Sequence, residues 1–345
     1  MHMAKKLSMI FACVTMTLIC FTIGEARIAS GEAGVASLAE EVRDLGCIVY
    51  GARSNELDWD LFLMRPDGSA RRNLTRTSDF NEGMPRFSPD GTRILYRRLP
   101  RGEPFDNNRH GMQGELVVCR ADGSDVQVLG RSGDYTWASW GPRGERLACL
   151  SAVGVYFVDM VERKELTHLK RQGFFQQLIW SPDGQWLCGV ANSFGTGWSV
   201  ARMEVATGRV NAVSTVDCCT PDWFPDSRRI LFSRRPDQWT QLWQADAEGR
   251  QLSLVYAQDG RHVYGGCASP DGRYALFTGN QSEDGDAERS GSPMALIRLA
   301  DTPMIVGVSA AMRQKYPGAN HGPILVLPDG WEPHWTAHDV AGETP

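Results

Sequence analysis

The stretch WSPDGQWLCG at residues 180–189 recurs along the chain with small changes. Similar stretches are FSPDGTRILY at 87–96 and ASPDGRYALF at 268–277. In each, an apolar residue ends one strand, Ser-Pro opens a turn with φ already fixed, and Asp-Gly supplies positions that tolerate positive φ. An alternating run then continues as the next strand. Each copy therefore predicts a β-hairpin.

Six copies of this hairpin can be aligned, and the turn prolines of the first five recur every 40 to 53 residues. That spacing is typical of the blades of a β-propeller. The copies are MPRFSPDGTRILYRR at 84–98, ASWGPRGERLACLS at 138–151, LIWSPDGQWLCGVA at 178–191, PDWFPDSRRILFSR at 221–234, GCASPDGRYALFTG at 266–279 and a truncated EPHWTAHD at 332–339.

A second recurring hairpin lies between the copies of the first, with Asp-Gly, Glu-Gly or Thr-Gly at most of its turns. Two hairpins make a four-stranded blade, so the chain is predicted to be all-β, a six-bladed propeller. The second set is LFLMRPDGSARRNLT at 61–75, LVVCRADGSDVQVLG at 116–130, VYFVDMVERKELTHL at 155–169, VARMEVATGRVNAV at 200–213, LWQADAEGRQLSLV at 242–255 and MALIRLADTPMIVG at 294–307.

The two ends of the repeat region predict how the ring closes. The repeats begin in the middle of a unit, with CIVYGA at 47–52, and finish on a lone first strand, EPHWT at 332–336. We expect the C-terminal strand to become the innermost strand of the blade formed by residues 47–75, which removes an exposed sheet edge. The propeller is thus predicted to span residues 47–339, followed by a tail at 340–345.

The beginning of the chain resembles an export signal. Lys5 and Lys6 precede a nearly uncharged apolar run at 7–23, and small residues follow at Gly24 and Ala26. This pattern predicts a signal peptide at residues 1–26. The alternative is a retained membrane anchor, because the run is close to the shortest that spans a bilayer.

Residues 27–46 are predicted to form a short helical linker. Val35, Leu38, Val42 and Leu45 recur at helical spacing, with acidic residues between them. We expect this helix to pack against the propeller, and a partner-binding helix is the alternative.

Seven cysteines remain after residue 26, an odd number, so at least one cannot pair within the chain. Most lie in apolar runs, where a thiol behaves as a small buried hydrophobe. The adjacent pair Cys218 and Cys219 falls in a predicted loop, which leaves a redox role open. No cysteine and histidine cluster has zinc-finger spacing.

The repeat pattern resembles that of the TolB family of periplasmic β-propellers, over roughly residues 47–339. The resemblance implies an exported propeller. The residues between the predicted cleavage site and Cys47 are too few to form the N-terminal α/β domain that precedes the propeller in TolB, so we expect no such domain and the resemblance does not imply a role in the Tol system. No Gly-x-Ser-x-Gly nucleophile motif is present, which argues against the peptidase relatives.

The leading functional hypothesis is a protein-binding scaffold of the cell envelope, periplasmic or secreted, without catalysis or cofactor. Its partner is expected to be another envelope protein. The alternative is a metal-dependent, carbohydrate-active enzyme similar to oligogalacturonate lyase, acting on an oligosaccharide in the channel. A net charge of −5 gives no general attraction to nucleic acid, and no membrane span is expected after signal cleavage.

Loops that lead into the innermost strands are predicted to line one mouth of the channel. The insertion at 308–333 is predicted to cover one mouth as a structural cap, and a binding lid is the alternative. Metal ligation by a histidine cluster was not expected, since no aligned set of three appears. The candidate binding residues are Asn81, Glu82, Asp134, Tyr135, Gln177, Asp222, His262, Tyr264, Glu332 and His334.

Overall fold

The computed structural model describes eight stretches of the chain. The predicted signal peptide and most of the predicted tail lie outside them. The described residues are 31–103, 114–131, 133–170, 173–195, 197–258, 260–281, 293–307 and 314–340.

Six sheets surround a central axis, and the innermost strands of neighbouring sheets contact one another around the ring. The prediction of a six-bladed propeller is confirmed. From the axis outward, blade 1 contains β25 (Trp331–Thr336), β1 (Cys47–Arg53), β2 (Trp59–Met64) and β3 (Arg72–Asn73); blade 2 contains β4 (Phe80–Phe87), β5 (Arg93–Pro100), β6 (Glu115–Arg120) and β7 (Gln127–Gly130); blade 3 contains β8 (Trp137–Trp140), β9 (Arg146–Leu150), β10 (Gly154–Asp159) and β11 (Lys164–Lys170).

The remaining three blades follow in the same order, and blade 5 carries a fifth strand. Blade 4 contains β12 (Phe174–Trp180), β13 (Trp186–Ala191), β14 (Ser199–Glu204) and β15 (Val210–Ser214); blade 5 contains β16 (Cys218–Trp223), β17 (Arg229–Arg234), β18 (Gln241–Asp246), β19 (Leu252–Gln258) and β23 (Met304–Val306); blade 6 contains β20 (His262–Ala268), β21 (Tyr274–Gln281), β22 (Pro293–Arg298) and β24 (Leu325–Asp329).

The C-terminal strand closes the ring as predicted. Strand β25 pairs with β1 in antiparallel register, with Cys47 opposite Thr336 and Ile48 opposite Trp335. The last segment of the propeller therefore completes its first blade, and no blade is left with an unpaired innermost strand.

Blade 6 differs from the prediction. Its second hairpin was expected within residues 294–307, but after β22 and a short 3-10 helix (Leu299–Asp301) the chain leaves the blade. Strand β23 pairs in parallel with β19 of blade 5, and β24 supplies the fourth strand of blade 6. The segment between β22 and β23, Leu299–Pro303, lacks the glycine that a tight hairpin turn requires, which explains why no hairpin forms.

The described part of the 308–333 insertion does not cover the channel. Tyr316 and Ala319 pack against the apolar cluster that fills the space between blades 4 and 5, and this cluster includes Ile305 of β23. Because β23 carries the chain to the outer edge of blade 5, Tyr316 and Ala319 lie at that edge, and the chain then returns through β24 to the innermost strand β25.

Residues 31–42 form a helix that packs at the closure of the ring. Leu38 and Val42 are fully buried in a cluster shared by blades 6 and 1. Trp335 Nε1 donates to the carbonyl oxygen of Leu45 at 2.8 Å. Arg298 donates two hydrogen bonds to Glu41 and lowers the pKa of that carboxyl to about 2. The helix thus packs against blades 6 and 1 next to the strand pair that closes the ring.

Candidate binding site in the central channel

The Ser-Pro-Asp-Gly turns form a ring of similar structures at one end of the channel. In blade 4, the Ser181 hydroxyl donates to Asp183 and accepts the backbone N–H of Trp186. Gly184 has φ of 77° and closes the turn by donating to the Ser181 carbonyl at 2.9 Å. These local bonds explain why the repeated sequence places a fixed turn after each innermost strand. We call the channel opening surrounded by these turns the turn mouth.

Each of five innermost strands contains one residue with positive φ, beside a shift in strand register. Positive φ is uncommon for residues other than glycine and marks local backbone strain. The shift breaks the simple alternation of side chains and decides which residues face the axis. The residues are Met84, Gln177, Thr220, Gly265 and Glu332.

Two residues after each of these five positions, one side chain faces the axis at the turn mouth. In blade 3, which has no residue with positive φ in its innermost strand, Ser139 occupies the equivalent repeat position. Together with the turn prolines these side chains line a cavity of about 320 Å³, which we call the turn-mouth cavity. Its floor is formed by Arg86, Ser139, Ile179, Asp222, Cys267 and His334.

Aromatic rings dominate the wall of the turn-mouth cavity. One aromatic residue follows the floor position in five of the six blades, and in blade 6 the same position holds Ala268. Apolar walls above a few fixed polar groups are typical of ligand-binding sites in proteins. The aromatic residues are Phe87, Trp140, Trp180, Trp223 and Trp335.

An ion pair crosses the channel axis. The guanidinium of Arg86 in blade 2 lies 2.7 Å from the carboxylate of Asp222 in blade 5, the blade diametrically opposite. The side chains are 20% and 9% exposed, so most of the pair is withdrawn from water. Burial raises the pKa of Asp222, and the charge of Arg86 opposes that effect. The pair separates the turn-mouth cavity from the rest of the channel.

His334 is held in its neutral form beside this pair. Its Nδ1 accepts the backbone N–H of Phe87 at 3.1 Å, so the ring proton resides on Nε2. Removal from water, together with the nearby charge of Arg86, lowers the pKa of His334 well below its usual value. The imidazole therefore adds a polar group to the floor without adding charge.

The floor is interlocked from blade to blade. Ser139 of blade 3 accepts the backbone N–H of Trp180 in blade 4 at 2.9 Å, as His334 of blade 1 does for Phe87 of blade 2. Trp140 Nε1 donates to the Arg86 carbonyl at 3.1 Å. Because side chains of one blade bond the backbone of the next, the floor is a fixed surface.

Behind the ion pair lies an axial chamber of about 10 Å³, also lined by Arg86 and Trp137. Gln177 of blade 4 accepts the backbone N–H of Thr220 in blade 5 at 2.5 Å. Thr220 in turn accepts the backbone N–H of Gly265 in blade 6 at 3.1 Å. Blades 4, 5 and 6 are thus linked around half of the chamber.

Glu332 lies on the other half of the axial chamber and is 7% exposed. Its Oε2 atom has no hydrogen-bond partner among the described residues, and neither has Nε1 of Trp137. Burial raises the pKa of Glu332 to about 7, although the charge of Arg86 opposes this shift. The carboxyl therefore changes its ionisation close to neutral pH.

Four of the ten candidate residues meet at the channel axis. Asp222 and His334 line the turn-mouth cavity, and Gln177 and Glu332 line the axial chamber. His262 and Tyr264 stack on each other near the opposite mouth, with ring centroids 5.8 Å apart. Whether any of these residues binds a ligand stays a prediction.

The other four candidates make contacts away from the channel lining. Asn81 accepts the backbone N–H of Trp59 in blade 1. Glu82 is fully buried and accepts hydrogen bonds from two threonines, and burial raises its pKa to about 8. Asp134 accepts a backbone N–H of its own loop, and Tyr135 donates to a carboxylate on the outermost strand of blade 3.

Sequence reasoning missed Arg86, Ser139 and Cys267 as cavity residues. Each stands three positions before the proline position of its turn, as Asp222 does, so the repeat alignment itself contained the signal. The candidate residues came instead from the loops that enter the innermost strands, which lie at the opposite end of those strands from the turns.

No set of three or more His, Cys, Asp or Glu side chains is placed to hold a metal ion within the described part of the chain. The described residues also contain no helix with the length and apolarity needed to cross a membrane.

Comparisons with known proteins find similarity in fold. No family model and no curated protein matches the sequence. The crystal structure of TolB from Acinetobacter baumannii aligns with a TM-score of 0.60 at 14% identity, over 84% of this chain and 67% of that chain.

Two further solved structures align with lower TM-scores. A chain of the nidogen/laminin complex aligns with a TM-score of 0.54 at 7% identity, over 74% of this chain and 90% of that chain. An oligogalacturonate lyase in complex with manganese aligns with a TM-score of 0.44 at 14% identity, over 62% of this chain and 60% of that chain. The chain is a six-bladed β-propeller with the fold of the TolB propeller.

Proposed function

We propose that this chain is an exported, protein-binding propeller of the cell envelope that holds a segment of a partner protein in the turn-mouth cavity. The observation that carries the proposal is the cavity itself, an aromatic-walled recess on the axis with an interlocked polar floor. Propellers use such faces as platforms for other molecules.

The chemistry of the cavity suits a short peptide segment better than a reaction. The half-buried indole of Trp180 supplies contact area at low entropic cost, as aromatic rings do at protein interfaces, while the other aromatic residues of the lining are nearly buried and support it. On the floor, Arg86 and Asp222 already neutralise each other, and His334 is uncharged. The floor therefore offers hydrogen bonds and shape without an unpaired charge, and burial raises the pKa of its Cys267 thiol to about 12, which keeps that thiol protonated at neutral pH.

Site-specific photocrosslinking tests this proposal. A photoreactive residue at Ala337, which is exposed and lines the cavity, is expected to capture one discrete protein from the native envelope. The matched control places the same group at Val216, which is 40% exposed and precedes strand β16 at the opposite mouth. The captured protein, once purified, should bind the chain, and Ala337→Trp should weaken that binding by filling the rim.

Two results would contradict the proposal. One is equal capture from both positions, or none from either. The other is a stoichiometric divalent ion that is lost in His334→Ala together with cleavage of polygalacturonate, which would favour the lyase alternative.

Export is tested separately. Intact-mass analysis of the exported protein should show Arg27 as the first residue if the signal peptide is removed.

A further inference from the structure

An arginine and an indole close the junction between blades 2 and 3 on the turn face. Arg93, four residues after the turn proline of blade 2, donates to the Gly144 carbonyl in the turn of blade 3 at 2.7 Å. The same guanidinium lies 4.7 Å from the ring centre of Trp140. Trp140 Nε1 points back to blade 2 and donates to the Arg86 carbonyl.

The junction between blades 3 and 4 departs from this arrangement. Trp180 occupies the repeat position of Trp140, but its Nε1 donates to the Gly184 carbonyl in the turn of its own blade at 3.1 Å. Arg146 occupies the position of Arg93, and the Gly184 carbonyl that corresponds to its acceptor bonds Trp180 Nε1 instead. Arg146 is exposed, and its side chain bonds to none of the described residues.

The turned indole leaves an opening at this junction. Trp140 and Trp223, whose Nε1 atoms both donate to a carbonyl of the preceding blade, are 6% and 5% exposed, whereas Trp180 is only half-buried. A notch of about 210 Å³ lies beside it, and Trp180 and Pro142 line both this notch and the turn-mouth cavity. We call it the turn notch; it is lined by Gly141, Pro142, Arg143, Glu145, Arg146, Trp180 and Gly184.

The charge of the turn notch is positive, although the chain as a whole carries a net charge of −5. Arg143 and Arg146 face one carboxylate, Glu145, and within the described residues neither guanidinium forms an ion pair. Asp159 stands opposite Arg146 in the strand pair; two backbone N–H groups lower the pKa of its carboxyl and the charge of Arg146 adds to this effect, but no ion pair joins the two side chains. Free guanidinium groups beside an aromatic wall are well suited to binding a carboxylate.

We infer that the turn notch binds a carboxylate side chain of the partner segment that occupies the turn-mouth cavity. The inference rests on the proposed function, since the segment would pass from the axis across Trp180. Trp180 thus departs from the arrangement of Trp140 and Trp223, and local departures of this kind often mark functional sites. The partner's segment is therefore acidic at the residues that leave the channel toward blades 3 and 4.

A defined probe tests the inference on the full mature chain. Acetylated, amidated tetraglutamate is titrated while the indole ¹H–¹⁵N resonance of Trp180, assigned with Trp180→Phe, is followed. We expect a saturable shift with tetraglutamate and none with tetraglutamine. In Arg143→Gln/Arg146→Gln the apparent affinity should fall about tenfold or more, because both guanidinium partners are lost.

The control variant, Arg228→Gln/Arg250→Gln, removes the same charge from exposed arginines of other turns and should leave the titration unchanged. Equal weakening in both variants would show a general charge effect and overturn the inference, as would a missing shift. If Ala337 still captured a partner in that case, the proposed function would stand without this subsite. A tetraglutamate site without capture at Ala337 would retain the notch as a carboxylate site and reject the proposed function.

Discussion

Arg86 and Asp222 join opposite blades of the propeller through an ion pair of 2.7 Å across the channel axis. Because both charges are largely withdrawn from water, each depends on the other for compensation. We predict that Arg86→Met alone destabilises the fold by about 3 kcal/mol, since Asp222 is left buried without a partner.

The double variant Arg86→Met/Asp222→Leu should be more stable than Arg86→Met, because it removes the uncompensated charge as well. Urea denaturation of the wild type, both single variants and the double variant gives the coupling energy of the pair. Additive effects of the two substitutions would show that the two side chains do not compensate each other.

The raised pKa of Glu332 predicts how the free energy of unfolding depends on pH. Burial raises its pKa from 4.5 to about 7, so the folded state retains a proton that the unfolded chain loses. Its contribution favours the folded state fully below about pH 4.5 and is lost as pH rises toward 7. At pH 8 the cost of ionising this carboxyl in the folded state is about 3 kcal/mol.

Glu332→Gln should therefore be more stable than the wild type at pH 8 and lose this advantage as pH falls to about 5. The measurement is the difference in unfolding free energy between the two proteins from pH 5 to 8. Glu332→Ala at the same pH values controls for loss of packing. A difference that does not change with pH would show that Glu332 is ionised throughout.

Closure of the ring predicts the effect of losing Trp335. This side chain is 4% exposed, packs between the helix and blades 6 and 1, and donates to the Leu45 carbonyl. Trp335→Ala should destabilise the fold by about 3–5 kcal/mol, through the cavity it leaves and the lost hydrogen bond. Thermal unfolding measures this cost.

Trp335→Phe separates the two contributions, because it keeps much of the ring contact and removes only the donor. Its effect should be clearly smaller than that of Trp335→Ala. If both substitutions left stability unchanged, the closing strand would not be holding the ring together.

Turn chemistry made most of the fold predictable. Ser181 and Asp183 bond the turn that follows their strand, so the repeated sequence indicated every hairpin that carries this motif. The lone strand around Trp335 likewise indicated closure, because the first repeat lacked its innermost strand. Blade 6 was predicted incorrectly after β22, since a parallel excursion to another blade has no local sequence signal.

The channel lining was less predictable. Strands normally alternate inward and outward side chains, but the positive φ of Met84 and the register shift beside it break this alternation. The sequence of β4 does not reveal that shift, so it did not indicate that Arg86 would face the axis. The sequence also did not predict the different orientation of the Trp180 indole. Tryptophan occupies the same repeat position at Trp140 and Trp223, so residue type alone does not distinguish the three side chains.

The burial of the cysteines predicts that their thiols react slowly in the folded protein. All seven in the described residues are free, and Cys219 alone among them is not fully buried. Burial raises the pKa of Cys219 to about 12 and also raises the pKa of Cys218, so almost no thiolate is present at neutral pH. We expect native protein to react with a thiol-specific disulfide reagent far more slowly than denatured protein, in which all seven should react.

Cys219→Ser tests the redox alternative for the adjacent pair. If Cys218 and Cys219 are only packed, this variant should leave the reaction rate of the native protein nearly unchanged. A fast phase in the wild type that disappears in Cys219→Ser would instead identify a reactive thiol at the start of β16. Because β16 is the innermost strand of blade 5, that result would place a redox-active thiol beside the channel. The raised pKa values of Cys218 and Cys219 predict the opposite result.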